Sequence, residues 1–171
     1  MTTSFRFAAT SAKLMLLSGL VLAIGCKKIT DPTPNNLTSL QGSWKITGLT
    51  VNPAFLGFSD LYAALQLQKE TCVNDAVVTF NASGTITNNL AAQANCTTAA
   101  APNTQRLFNT FFGAATTYKE ANNTVTLTTS GQAVTGTEVF TVTTVAVTAK
   151  LPTDPNGAAV PTTYVITMTK L

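Results

Sequence analysis

The strongest constraint on this chain is the alternation of apolar residues with threonine through its second half. Thr144 to Leu151 reads Thr-Val-Ala-Val-Thr-Ala-Lys-Leu, which puts Val145, Val147, Ala149 and Leu151 on one side. Thr162 to Lys170 repeats the rhythm, with Tyr164, Ile166 and Met168 on one side. A side-chain period of two belongs to a strand with one buried face. Threonine makes up 33 of the 171 residues, and a β-branched side chain with a hydroxyl suits the wet face of such a strand. The same reading places six earlier strands at Ser43–Val51, Ala76–Phe80, Thr85–Asn89, Ala114–Glu120, Thr124–Thr129 and Thr135–Val142.

The connections after the second, fourth and sixth strands read as tight. Those after the first, third, fifth and seventh read as longer, the first two much longer. In an up-and-down antiparallel barrel alternate connections lie at opposite ends, so this pattern predicts a closed base and an open mouth. The expected fold is all-β, an eight-stranded antiparallel up-and-down barrel with short helices in the long mouth loops. An immunoglobulin-like sandwich is the alternative, and pairing of the first strand with the last would favour the barrel. A transmembrane barrel is disfavoured because most strands fall short of the nine or so residues needed to span a bilayer.

Composition removes several function classes. The chain has no histidine, which excludes Ser-His-Asp and Cys-His catalysis and His-ligated metals. Asp60, Glu70, Asp75, Glu120, Glu138 and Asp154 are scattered, with no spacing that pairs two of them on one strand face, and each reads as a solvated surface or turn residue. No phosphate loop, EF-hand loop or G-x-S-x-G is present in the sequence. The chain is therefore read as a non-enzyme without cofactor or metal. The six acidic residues after residue 38 are matched by Lys45, Lys69, Arg106, Lys119, Lys150 and Lys170, so that region carries no net charge and offers no basic face to a nucleic acid.

Arg6 and Lys13 precede an apolar run from Leu14 to Ile24, which has the length of a signal-peptide core and is too short to span a membrane. Leu22-Ala23-Ile24-Gly25-Cys26 resembles the lipobox of bacterial lipoproteins, which implies cleavage before Cys26 and acylation of its thiol. An ordinary signal peptide with a stray cysteine is the alternative. The polar, proline-interrupted stretch that follows reads as a tether. The expected organisation is a signal peptide at 1–25, a tether at 26–37 and a folded domain at 38–171. By resemblance to Gram-negative sorting, Lys27 after the cysteine implies the outer membrane, facing the periplasm or the cell surface. Cys72 and Cys96 remain as an even pair in an exported chain and read as a disulfide. Closing a loop of about 25 residues contributes roughly 3 kcal/mol in the chain-entropy model.

Gly42-Ser43-Trp44 at the start of the first strand resembles the Gly-x-Trp motif of lipocalins. The run from Cys72 through Asp75, Phe80 and the Asn81-Ala82-Ser83-Gly84 turn resembles the lipocalin-like lipoproteins of Gram-negative bacteria. The resemblance covers residues 38 to 171 and implies a barrel that can hold a small apolar ligand. Lipocalins commonly pack an arginine from the last strands over the motif tryptophan, and here the basic candidates are Lys150 and Lys170.

Two mouth loops carry helical patterns. Ser59 or Asp60 can cap a helix with Leu61, Ala64 and Leu65 on one face. Asn103 or Thr104 can cap a second, with Leu107, Phe108, Phe111 and Phe112 along one stripe and Gly113 as its stop. Phe55, Phe58, Tyr62, Phe108, Phe111 and Phe112 are thus the candidate ligand-binding residues. Their helices form either an apolar rim for a ligand or a plug that fills the mouth. Two functions follow: a membrane-tethered carrier or sensor of a small apolar molecule, or a filled scaffold that displays its loops to a protein partner.

Overall fold

The computed structural model describes residues 37–171. The signal peptide read over 1–25, Cys26 and all but the last residue of the tether lie outside them. The described chain runs β1 (Gly42–Phe55), β2 (Phe58–Asp60), α1 (Leu61–Leu67), β3 (Val77–Phe80), β4 (Ile86–Asn88), α2 (Pro102–Phe112), β5 (Thr117–Ala121), β6 (Thr124–Thr129), β7 (Gln132–Phe140), β8 (Thr144–Leu151) and β9 (Thr162–Lys170). All strands are antiparallel, in the order β4-β3-β1-β9-β8-β7-β6-β5, and β2 pairs only with the far end of β1.

First and last strands pair along most of their length, from Trp44 opposite Lys170 to Asn52 opposite Thr163. The seam of the barrel falls elsewhere, between β4 and β5. There a single bridge joins Thr85 to Thr117, and the Tyr118 amide donates to the Gly84 carbonyl at 2.7 Å. The result is a nearly closed eight-stranded barrel with β2 as an appendage.

One connection departs from the expected rhythm. β6 and β7 meet through Ser130-Gly131 alone, both at positive φ (49° and 81°), so this turn is tight where a longer one was expected. Two consecutive left-handed residues match the twist of a two-residue hairpin. The mouth is therefore built by the β1–β3, β4–β5 and β8–β9 connections.

The core follows from the alternation. Val145, Val147 and Ala149 of β8 and Tyr164, Ile166 and Met168 of β9 are buried. A bulge at Thr47 shifts the register of β1, so Leu49 and Val51 join Trp44 and Ile46 on the buried face. The segment before β1 crosses the base, with the Leu37 amide donating to the Thr141 carbonyl at 2.8 Å and the Trp44 indole donating to the Leu40 carbonyl. Lys170 Nζ sits 4.5 Å from the centre of the Trp44 ring, the place the lipocalin resemblance gives to an arginine. Gly42 has φ +113°, and a Cβ there would come within 2.7 Å of Lys170 Nζ. The lysine and the glycine thus account for each other.

Cys72 and Cys96 form a disulfide, with Cα atoms 5.2 Å apart. It ties the approach to β3 to the connection between β4 and α2. Asp60 caps α1 by accepting from the Ala63 amide at 2.9 Å.

Candidate functional site

α2 begins at Pro102 with Ala101 in the capping position, and neither Asn103 nor Thr104 caps it from within. The cap comes from Glu70, which is buried rather than solvated. Its carboxylate accepts from the Asn103 amide at 3.2 Å, the Thr104 amide at 2.7 Å and the Thr104 hydroxyl at 2.9 Å. An anion against the free amides of a helix N-terminus is favoured by both hydrogen bonding and the helix dipole. Glu70→Gln should lower stability by about 1–2 kcal/mol in denaturant unfolding, because a charge-assisted bond becomes neutral. An unchanged midpoint would show that the cap contributes nothing.

So anchored, α2 drives its apolar stripe into the barrel. Leu107, Phe108, Phe111 and Phe112 are all buried. The Phe111 ring lies 5.2 Å from Tyr164 and the Phe112 ring 6.2 Å from Phe80, both edge-on. Space left inside is about 20 Å³ beside Phe111 and about 10 Å³ near Met168, less than a ligand needs. The helix is a plug.

An apolar concavity of about 260 Å³ remains on the rim. The β1–β2 hairpin supplies Phe55 and Phe58, α1 supplies Leu61 and Leu65, and α2 supplies Arg106 and Leu107. Of the six aromatic candidates, Phe55 and Phe58 line this groove. Phe108, Phe111 and Phe112 lie in the core instead, and the Tyr62 hydroxyl donates to Asn74 Oδ1 at 3.0 Å. Arg106 was not singled out by sequence because nothing local marks it. Its guanidinium donates to Asn156 Oδ1 at 2.8 Å and to Asn103 Oδ1 at 3.0 Å, which fixes it at the edge of an apolar surface. Such a group can receive a carboxylate or phosphate at the head of an apolar body.

No family model, curated protein or solved structure matches this chain.

A second concavity, of about 550 Å³, lies at the base between Leu37, the Asn122-Asn123 turn, Glu120 and Phe140. Glu138 lines it and is not a surface residue: it points inward from β7 and is 4% exposed. Its Oε1 has no hydrogen-bond partner. Burial pushes its carboxyl up to about 7, and the nearby Glu120 adds to the rise. Glu120 accepts from the Leu40 amide at 2.6 Å and the Ser39 hydroxyl at 2.9 Å. The barrel therefore brings together two acidic residues that sequence spacing leaves apart. Among the described residues no group of three or more acidic, histidine or cysteine side chains could hold a metal.

Proposed function

We propose that this protein is a lipid-anchored cell-envelope lipoprotein that binds a small amphipathic molecule in the rim groove, not inside the barrel. The observation that carries the reading is the combination of a plugged interior with a rim concavity that pairs Phe55, Phe58 and Leu107 with the fixed guanidinium of Arg106. The apolar wall suits a short hydrocarbon body and Arg106 suits an anionic head. Anchorage rests on the lipobox-like sequence ending at Cys26. Residue 37 lies at the base, the opposite end of the barrel from the groove. No helix among the described residues is long and apolar enough to cross a membrane.

A test uses octanoate as the probe and nuclear magnetic resonance as the readout. Saturable shifts should map to residues 55–61 and 103–107. Arg106→Gln should weaken binding about tenfold, the loss of one charge-assisted contact. Shifts scattered over the surface, or equal binding by the variant, would refute the groove. Fatty-acid labelling in cells should mark the wild type, and a Cys26→Ser chain labelled equally would refute the anchor.

The hairpin tip favours a second reading. Leu56 is 75% exposed and Phe58 is 42% exposed, and together they form an apolar edge that a protein partner could cover. If Phe58→Asp abolished a protein contact that Arg106→Gln left intact, display would be the function of the loop.

A further inference from the structure

We propose that the base cavity is a receptor for the primary ammonium group of a small organic amine. The cavity lies at the opposite end of the barrel from the rim groove, so its occupancy is independent of what that groove holds.

Glu138 is the starting point. A carboxyl on the inner face of a barrel strand is costly unless something pairs with it. In β7 the inward face runs Val134, Gly136, Glu138 and Phe140, so the carboxyl sits among apolar positions, while Val139 faces out and is 64% exposed. A buried carboxyl beside an exposed valine goes against the usual preference, and such departures are expected at functional or strained sites. Gly136 leaves no room for a substitute, since a Cβ there would lie 3.0 Å from the Thr148 carbonyl oxygen.

The surroundings supply negative potential, and Lys170, the cation that Glu120 attracts, makes no hydrogen bond to Glu138. Glu120 on β5 is the second carboxylate, its oxygens already accepting from Ser39 and Leu40. Lys170 on β9 is committed to the Gln41 carbonyl and the Trp44 ring. β6 and β8 present threonine, valine and alanine beside Glu138, and the strap from Leu37 to Gln41 carries no charge.

The chemistry of the missing partner follows. A hard divalent ion favours a site built on several carboxylates, and among the described residues no three acidic side chains gather here. A primary ammonium has three donors and needs one carboxylate with neutral acceptors around it. Asn122 and Asn123, held in a turn by positive φ at both residues, line the same wall. Leu37 and Phe140 leave an apolar side for a short alkyl body. On binding, Glu138 releases its proton to solvent and the ammonium keeps all of its own.

The test uses the full chain with n-butylammonium chloride as the probe, followed by amide shifts. At pH 8 saturable shifts should appear at Asn122, Asn123, Glu138 and Val139. At pH 5.5 affinity should fall about thirtyfold, the ratio of ionised Glu138 at the two values for a group titrating near 7. Glu138→Gln should remove the saturable component while the spectrum remains that of a folded barrel. No saturable shift at pH 8, or affinity independent of pH, would overturn the proposal.

Discussion

Replacing Phe111 with alanine is expected to destabilise the protein by about 4 kcal/mol and to turn a solid barrel into a receptor for a small apolar molecule. Phe111 is 2% exposed, its ring stands edge-on to Tyr164, and Ile46, Leu49 and Ile166 close around it. Most of those contacts come from strands held by continuous pairing in the centre of the sheet, so the walls have little freedom to collapse. A phenyl-sized void should persist next to the 20 Å³ already there. Empty apolar cavities of this kind stay dry and accept benzene. The measurement is thermal unfolding with and without benzene. The variant should gain stability from the ligand and the wild type should not. A variant that loses stability but gains nothing from benzene would show that α2 sinks to fill the space, so that the plug adapts and does not merely occupy.

The same helix shows how much of the molecule was legible beforehand and why the rest was not. Its apolar stripe and its Gly113 stop could be read because both depend on neighbours within one or two turns. Its cap could not, because Glu70 reaches it from more than thirty residues away. β8 and β9 were legible to the residue, since strict alternation fixes both their extent and their buried face. β7 was not. Gln132-Ala133-Val134 has no alternation, and Ser130-Gly131 reads as part of a longer loop, although its two left-handed residues make a complete turn. The inward direction of Glu138 depends on register, with Gly136 opposite both Val125 and Ala149. A slip of one residue would turn the carboxyl to solvent and Val139 to the core. Local sequence cannot choose between those two arrangements, and the candidate base site rests on that choice.

The same register carries a pH dependence that a surface glutamate would not show. Glu138 titrates near 7 in the folded barrel because burial disfavours its charged form, with Glu120 a smaller contribution. In the unfolded chain it returns to the ordinary range near 4.5. Below the unfolded value the carboxyl is protonated in both states and no penalty exists. As pH rises from there, the unfolded chain ionises while the folded barrel keeps its proton, so stability falls. The fall is complete once pH passes the folded value, and a displacement of this size corresponds to about 3 kcal/mol. Glu138→Gln removes the ionisation and keeps the shape. Between pH 5 and pH 8, a window that holds most of the fall, the wild type should therefore lose about 2 kcal/mol more in denaturant unfolding than the variant does. The comparison is between slopes, so any constant cost of the buried amide cancels. n-Butylammonium should flatten the wild-type slope, because a bound cation lets the folded state ionise at lower pH. Parallel curves for the two proteins would mean that Glu138 is solvated like any surface carboxylate, and that the base of the barrel is open to water.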